Sequence, residues 1–476
     1  MKTYKLSAFL YSSILATVIM LSACEKNLDI ELEAGEGALT PDSAIRSKAD
    51  MQALLNSCYD ACANMMNGQF QVASDLLADD VSKPTNNDGF LTGIYNRQSD
   101  QFNTFIGGAF AQPYYTIYRC NVMDLYYDKL NLSDDEKNRF QGEAAFLRAL
   151  CHFESLRLWA QPYGYTPDNS HLGIILRKRA QNEAIPRSTV KESYEYIISQ
   201  LLAAISKLPE QNGVYVNKDG AKALLAKVYF QMNDYTNALP LLDEVINSNK
   251  YQLSDSLNRF IRDNVANEVI FGFVSGNNAY ETGSRSGEFK DKYRNDLQGD
   301  NVLPILCFSA ELAGLLSNDT SDQRSKITKT YFKGQSNQQM ATTKFNLNNF
   351  AAPYLHLTDL KLMRAEILAI QGNSTGAIAD LTPIVKRAYK PSATKETYIA
   401  SLSGSALVDE IRMQRRLEMN CEGDRLHQVK RIGVSKGQDN LMVRGVPWNC
   451  NGMILQFPAS CGTSRVFEFN PTTVCK

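Results

Sequence analysis

Two short motifs in this sequence have the spacing seen in nucleophilic enzymes. Residues 372–376 read Gly-Asn-Ser-Thr-Gly and fit G-x-S-x-G, and residues 188–191 read Ser-Thr-Val-Lys and fit S-x-x-K. A nucleophile elbow needs a strand before its serine and a helix after it. A helical pattern precedes Gly372, so we interpret this glycine as a helix C-cap and Ser374 or Thr375 as the next N-cap. The second motif stands at a predicted helix start without its partner motifs. Neither motif therefore favours a hydrolase.

Residues that bind metals or nucleotides are sparse. No two of the four histidines lie at metal-ligand spacing, and the sequence has no H-E-x-x-H, no G-x-x-x-x-G-K-[ST] and no G-x-G-x-x-G. The adjacent carboxylates Asp79 and Asp80 cannot be assigned to acid–base catalysis from sequence, and we interpret them as a helix end or a solvated face. We expect no cofactor, no metal and no enzymatic activity.

Cys24 has a context that favours modification rather than catalysis. Lys2 and Lys5 precede an apolar run over residues 6–23, and Leu-Ser-Ala leads into the cysteine. This layout is typical of a signal peptide. The order Leu-Ser-Ala-Cys resembles a bacterial lipobox, in which the thiol receives diacylglycerol and the leader is cut before the cysteine. We predict a signal peptide over residues 1–23 and lipid attachment at Cys24. A single N-terminal span is the alternative, because about 18 apolar residues can just cross a bilayer.

An acidic tether follows the cysteine over residues 24–48. It carries Glu25, Asp29, Glu31 and Glu33. Acidic stretches directly after a lipidated cysteine resemble the surface-export signals of Bacteroidetes lipoproteins, which implies the outer face of the outer membrane. The formal net charge of the chain is −1 at pH 7, which predicts no basic field that would collect nucleic acid or anionic lipid.

The ten cysteines do not form a metal-binding pattern. With Cys24 assigned to the anchor an odd number remains, their spacing is irregular and no C-x-x-C pair occurs. We expect most of them to be buried thiols that act as small hydrophobic residues. A disulfide within the group Cys450, Cys461 and Cys475 is the exception that the sequence allows.

Hydrophobic periodicity predicts a mainly α fold. Helices are expected over residues 49–66 and 111–130. Two capping boxes start further long helices, Ser133 with Glu136 and Thr189 with Glu192. Helix–turn–helix patterns over residues 220–248 and 357–389 resemble tetratricopeptide repeats. A scaffold of stacked helix pairs is therefore the predicted architecture.

We predict one domain over residues 49–476. Its helical scaffold lies mainly at residues 111–250 and 355–433. The regions around residues 67–108 and 250–350 are rich in Asn, Ser, Gly and Asp and contain short β-like runs, so we expect long irregular loops with a few short strands. Long excursions from a helical scaffold are usually functional, and a ligand site is expected on them.

The segment Asp409–Gly433 is dense in charge but has no aromatic residues that would stack bases. We interpret Arg415, Glu418, Glu422 and Arg425 as parts of an internal ion-pair network. Such networks fix a local arrangement without adding much net stability.

Four blocks in this order resemble the SusD/RagB family of Bacteroidetes outer-membrane lipoproteins. The first reads GEAAFLRALCHFESLRLWAQPYG and ends in a Gly-Pro-like turn, and the last reads IRMQRRLEMNCEGDRLHQVKRIG. The blocks occupy residues 142–164, 186–209, 222–246 and 411–433, and the tail over residues 455–471 resembles the family's closing segment. With the lipobox, the resemblance covers nearly the whole chain.

The resemblance implies a non-catalytic binding protein on the cell surface. Such proteins capture oligosaccharides and deliver them to a SusC-like TonB-dependent transporter. Binding in this family uses aromatic platforms on loops, because sugar C–H faces pack on rings while polar side chains bond the hydroxyl groups. The candidate ligand residues in the irregular regions and near the C-terminus are Phe90, Tyr95, Arg97, Tyr280, Tyr293 and Trp448. The other tryptophan, Trp159, ends a helical stripe and is expected in the core.

Other functions stay open at the level of sequence. Peptide capture for import is the main alternative, because some relatives of this family serve peptide import and two tryptophans are few for a glycan binder. A surface hydrolase would need a positioned nucleophile or carboxylate pair. A purely structural repeat adaptor is disfavoured by the long loops.

Overall fold

A computed structural model describes residues 45–476 except 86–87, 182, 262–265, 275–286, 295–301, 436–439, 464, 473–474 and 476. The chain divides into two compact units, residues 1–51 and residues 52–476. The first unit is described only at residues 45–51, where the first helix begins. The predicted signal peptide, Cys24 and Tyr280 lie outside the described residues, as does most of the predicted tether.

The described part is mainly helical, as the sequence predicts. The helices are α1 (Lys48–Met66), α2 (Gln69–Leu77), α3 (Gly89–Tyr95), α4 (Thr104–Met123), α5 (Asp134–Trp159), α6 (Val190–Lys207), α7 (Lys218–Gln231), α8 (Tyr235–Asn247), α9 (Gly287–Tyr293), α10 (Ala310–Ser317), α11 (Leu357–Ile370), α12 (Ser374–Ala388), α13 (Ala393–Ala400), α14 (Gly404–Glu418) and α15 (Arg425–Ser435). Among the residues described, no helix combines the length and the apolar character needed to cross a membrane.

The strands are short and lie between the helices. They are β1 (Val81–Ser82), β2 (Val269–Phe273), β3 (Cys307–Phe308), β4 (Thr328–Tyr331), β5 (Gln339–Thr342), β6 (Ala352–His356), β7 (Met442–Val443) and β8 (Val446–Pro447). They form antiparallel pairs, β1 with β3, β2 with β6, β4 with β5 and β7 with β8. The few short strands expected around residues 250–350 are therefore confirmed.

Local capping chemistry explains where the helices begin. The Ser133 and Thr189 side chains each accept from the backbone N–H three residues later, and Glu136 and Glu192 reach back to the cap residue, so both predicted capping boxes are confirmed. The turn between α7 and α8 and the turn between α11 and α12 have the same local structure. A residue with positive φ, Asn233 in one turn and Gly372 in the other, precedes an Asp or Asn N-cap. The cap of α12 is Asn373, one residue before the predicted Ser374.

Two boundaries differ from the predicted ones. Helix α4 begins at Thr104 rather than at residue 111, because the Asn103 side chain caps it by accepting from the Ile106 N–H at 3.1 Å. The glycine pair at 107–108 hides this first turn in the sequence pattern. Residues 67–108, predicted to be irregular, contain α2 and α3. Helices of two turns give too few repeats for their periodicity to be recognised.

Helix α5 lies at the centre of the described core. Its residues from Gly142 onward are buried almost all round, which is expected of a helix enclosed by others. Phe146 packs edge-on against Phe271 of β2 with ring centroids 5.0 Å apart. At the C-terminal end Trp159 is fully buried between Phe70 and Phe110, which confirms its predicted place in the core. This end of α5 holds the elements of the candidate site.

Candidate functional site

A surface cleft of about 460 Å³ opens beside the N-terminal end of α4. One wall is the loop over residues 97–102. The opposite wall and the floor come from two C-terminal stretches, residues 451–456 and 469–472. The walls are about 350 residues apart in sequence, so the cleft exists only because the chain returns to this place.

The floor is held by a closed set of hydrogen bonds. Gln456 and Asn470 are buried and bond each other through side chain and backbone, with the Gln456 Nε2 2.7 Å from the Asn470 carbonyl oxygen. The Asn470 Nδ2 donates to the Trp159 and Leu455 carbonyls at 2.8 Å, and the Trp159 indole N–H donates to the Gln456 carbonyl at 3.2 Å. Buried polar groups that are fully paired fix one arrangement. The floor is therefore a rigid extension of the α5 end.

The loop wall is also fixed by its own residues. Asp100 accepts from the Phe102 N–H at 2.7 Å, an Asx turn directly before the Asn103 cap of α4. Arg97 has φ of 58°. A Cβ at Gly452 would lie 2.4 Å from the Arg97 carbonyl oxygen, so the two walls approach as closely as they do because residue 452 is glycine. The cleft is thus preformed on both sides.

A disulfide ties the end of the chain to this wall. Cys450 and Cys475 are bonded, which confirms one of the pairings that the sequence allows, and Cys461 is free. The Gly452 N–H donates to the Cys475 sulfur at 3.2 Å. The remaining described cysteines are free and buried, as expected. The bridge holds the stretch that includes Pro471 and Thr472 against Asn451 and Gly452.

Cutting this bridge is expected to loosen the cleft. Cys450→Ser should lower the free energy of unfolding by about 2–4 kcal/mol, because the unfolded chain regains the entropy of an open loop. Thermal denaturation under oxidising conditions measures this, with Cys461→Ser as the matched control. Equal stability of the two variants would contradict the structural role of the bridge.

The rim combines one exposed ring with neutral polar groups. Phe102 is 69% exposed and stands on the fixed loop. The polar rim residues around the ring are Gln98, Ser99, Gln101, Asn451 and Thr472. Asp100 is the sole acidic residue among the described ones that line the cleft. A lone carboxylate without a second acid or a base cannot perform paired acid–base catalysis. The arrangement is suited to binding a ligand that has both an apolar face and hydroxyl groups.

Two of the sequence-predicted ligand residues lie close to the cleft. Arg97 lines it but is buried, and its Nε and Nη2 donate to the Leu77 carbonyl at 3.3 and 3.1 Å. Burial lowers the pKa of Arg97 to about 10, so it stays charged at neutral pH. Phe90 is 47% exposed on the first turn of α3, and its carbonyl accepts from the Asn103 Nδ2 at 2.9 Å. Phe90 is therefore linked to the loop that carries Phe102.

The other described ligand residues do not present a free ring. Tyr95 is half-buried, with the Arg444 guanidinium 4.0 Å from its ring centroid. Tyr293 is 2% exposed, and its hydroxyl donates to Asp75 at 2.6 Å. Trp448, expected at the surface, is instead buried against Gly433, where a Cβ would lie 2.4 Å from the indole. The polar neighbours of Trp448 in sequence suggested exposure, but the backbone of α15 accommodates the ring.

Phe102 is the functional candidate that sequence reasoning missed. The sequence pattern predicts that α4, the helix after Phe102, starts seven residues later than it does, so Phe102 is one of many aromatic residues in a polar stretch. The available signal was the spacing of Asp100 and Asn103, an Asx turn followed by an N-cap. Phe102 lies between these two residues, outside α4, so its side chain does not belong to the buried face of that helix.

Asp79 and Asp80 come just after the C-terminal end of α2, which confirms the helix-end interpretation, but they are paired and mostly buried and do not form a solvated face. Arg425 binds Asp79 through two bonds of 2.7 and 2.8 Å, and Arg416 binds Asp80 at 2.6 Å. Burial raises the pKa of Asp80 to about 6, although the Arg416 charge opposes the shift. No group of His, Cys, Asp or Glu in the described part of the chain could hold a metal ion.

Comparison with known proteins gives two matches to models of one family. A model described as "Starch-binding associating with outer membrane" matches residues 38–230, and the SusD family model matches residues 308–449. The chain belongs to the SusD family. The fold class agrees, since the helix-pair scaffold with few short strands is also that of SusD-superfamily structures.

The individual relatives are distant. A SusD-like protein of Formosa agariphila is 24% identical over 253 residues, which cover 52% of this chain and 47% of that protein. A second one from the same organism is 23% identical over 269 residues, 54% of this chain and 48% of that protein. The chain thus spans about half the length of the curated relatives it matches.

Solved structures match over a larger share of the chain. A SusD superfamily protein of Bacteroides thetaiotaomicron has a TM-score of 0.77 at 23% identity, covering 89% of this chain and 100% of that one. A structure named "Laminarin binding SusD-like protein" has a TM-score of 0.67 at 19% identity, covering 90% and 100%. At these identities the similarity establishes the family's fold.

Proposed function

We propose that this protein is located on the outer surface of the cell and binds neutral glycan chains in the cleft beside Phe102. The observation that carries the proposal is the exposed Phe102 ring beside a rim of amides and hydroxyls, on a loop whose backbone Asp100 holds. A sugar ring has C–H faces that pack on an aromatic ring and hydroxyl groups that exchange hydrogen bonds with amides. Family membership and the laminarin-binding neighbour support the ligand class.

The charges around the cleft favour a neutral glycan over an acidic one. Arg97 is the one cationic residue among the described lining residues, and its guanidinium already donates to the Leu77 carbonyl. Asp100 contributes a negative charge at the rim. A glycan rich in carboxylates or sulfates would meet this charge without a free cation to compensate it.

Delivery completes the proposed role. Lipid attachment at Cys24 would hold the body at the outer membrane, and a SusC-like TonB-dependent transporter would receive the captured glycan. The family description, "Starch-binding associating with outer membrane", supports the membrane location. A tethered binder works at high local concentration, so modest ligand affinity would suffice beside a transporter. The protein would act without catalysing a reaction on its ligand.

The experiment is affinity electrophoresis of the protein through gels that contain single polysaccharides. Neutral glucans, galactans and mannans are compared with acidic glycans, and fluorescent peptides are tested by polarisation. Retardation by a neutral glycan alone is the expected result. Binding of peptides without any glycan response would contradict the proposal and favour peptide capture. Release of shortened products from any substrate would instead identify an enzyme.

A further inference from the structure

Helix α4 presents a second surface, at the end opposite to the cleft. Tyr115 and Tyr118 are 56% and 52% exposed, and Leu125, just after the helix, is 54% exposed. Ala111 and Val122 complete the same stripe at half exposure. Positions 111, 115, 118, 122 and 125 share one helix face by their spacing. This outward stripe of α4 consists of aromatic and aliphatic side chains, where a solvated helix face would be charged.

A basic loop runs along one edge of the stripe. The Tyr114 hydroxyl donates to the Ile175 carbonyl at 3.0 Å, and the Asn121 Nδ2 donates to the Arg177 carbonyl at 3.1 Å. Because positions 114 and 121 directly flank the stripe, the loop carries Lys178 and Arg179 beside it. Both of these cations are exposed, and the Lys178 ammonium lies 5.2 Å from the centroid of the Tyr196 ring.

The charge on the other side of the stripe comes from Arg119 and from the acidic residues near it. Arg119 borders the other side of the stripe and donates from Nη1 to the Ser57 carbonyl at 2.7 Å. The acidic side chains on the α4 side have cationic partners, Asp124 with Arg148 and Asp128 with Lys137. Two exposed acids lie beside the basic loop, Glu183 near Arg177 and Glu192 near Lys178. The four cations Arg119, Arg177, Lys178 and Arg179 outnumber them, so the stripe with its borders, which we call the α4 face, carries excess positive charge around an apolar centre.

The net charge of the whole chain predicts no basic field, and the α4 face shows how one nevertheless forms. Arg119 is separated from residues 177–179 by more than fifty positions, and helix packing brings them to one surface. Whole-chain charge averages over faces and cannot detect this arrangement. A binding partner that is complementary to the α4 face would present negative charges next to an apolar layer.

We propose that the α4 face rests on an anionic lipid surface, with Tyr115, Tyr118 and Leu125 at headgroup level and Lys178 and Arg179 on phosphate groups. Tyrosine is enriched at membrane–water interfaces, and basic residues near an anionic membrane are attracted to it. The apolar area is small, so this contact orients a protein that is already anchored. The inference rests on the proposed surface location of the protein.

The contact and the cleft use different stretches of the chain. Helix α4 has 20 residues and is therefore about 30 Å long. Phe102 precedes its N-terminal end, whereas Tyr118 and Leu125 lie at its C-terminal end. The stripe begins nine residues after Phe102, so lipid contact at the α4 face does not use the residues that line the cleft.

The test uses the full acylated protein in vesicles with brominated acyl chains. Trp159 and Trp448 are buried, so Tyr118→Trp adds a bright exposed reporter. Tyr398→Trp is the matched control, since Tyr398 is 47% exposed on α13 and also lies beside a lysine. In vesicles of phosphatidylglycerol and phosphatidylcholine, we expect the reporter at position 118 to be quenched at least twofold more than the control. Lys178→Gln with Arg179→Gln should remove this difference.

The other outcomes overturn the proposal. Equal quenching of both reporters, or equal quenching in purely zwitterionic vesicles, would mean that the α4 face has no lipid preference. Protection of position 118 from a soluble quencher only in native outer-membrane fragments would assign the face to a protein partner instead. Glycan binding is measured in solution without vesicles, so failure of this test and failure of the proposed function are separate results.

Discussion

Glu418→Gln is expected to lower the free energy of unfolding by about 3–5 kcal/mol, the typical cost of breaking a buried ion pair. Glu418 is the last residue of α14 and is almost fully buried. Its carboxylate meets three guanidinium groups, those of Arg387 at 2.7 Å and of Arg259 and Arg324 at 3.4 Å. The substitution keeps the volume but leaves three buried cations with less compensating charge.

The position of Glu418 explains why the effect should be large. Its three partners come from the region after α8, from the segment before β4 and from α12, so one carboxylate joins parts of the chain that do not follow one another. Burial would raise the pKa of Glu418, but the nearby arginine charges outweigh it and hold the pKa below its ordinary value. This stabilisation is present above the unfolded pKa and is lost as the pH falls through the folded pKa.

Chemical denaturation at neutral pH measures the loss. Glu396→Gln is the matched control, because Glu396 pairs with Lys386 at the surface and exposed pairs contribute at most about 1 kcal/mol. A loss at Glu418 no larger than that at Glu396 would contradict the buried network as a determinant of stability.

Lys430→Met is expected to stabilise the protein. Lys430 lies on α15 with 2% of its surface exposed, and its ammonium has no hydrogen-bond partner among the described residues. Burial, together with the nearby Arg157 charge, lowers the pKa of Lys430 to about 7. Methionine has a similar length and needs no partner in an apolar place. Below pH 7 the gain in the free energy of unfolding should be on the order of 3–5 kcal/mol, from the size of the pKa shift.

The pH dependence distinguishes this cause from better packing. Between pH 7 and the ordinary lysine pKa of about 10.5, the unfolded chain binds a proton that the folded chain does not, so the stability of the natural protein rises with pH. The advantage of Lys430→Met should therefore be full below pH 7 and should shrink toward pH 10. Thermal melts across this range measure it. An advantage that is constant with pH would contradict the assignment, and the exposed Lys333→Met serves as the control.

The fold was predictable because its signals are local. The capping boxes at Ser133 and Thr189 and the positive-φ turn at Gly372 lie within a few residues of the helices they define. The ion-pair network was predicted from charge density, and its members are indeed paired. Their partners were not predictable, since Arg415 binds Asp359 and Arg425 binds Asp79, both distant in sequence.

The candidate site was less predictable because it depends on distant contacts. The rim at Asn451 faces Phe102 only after the chain has completed the scaffold, and no local pattern encodes that approach. Tyr293 is a case in which a local signal was available. Phe289 and Tyr293 are four residues apart, which places them on one face of the short helix α9, and that face is buried. Loop aromatics with helical spacing are better assigned to the core.

Calorimetric titration with the polysaccharide that most retards the protein in gels decides whether glycan binds at the cleft beside Phe102. The wild type is compared with Phe102→Ala and with Tyr398→Ala, which removes another exposed ring far from the cleft in sequence. We expect at least a tenfold loss of affinity for Phe102→Ala, about 1.4 kcal/mol or more, and none for the control. Unchanged affinity in Phe102→Ala would contradict glycan binding at this cleft.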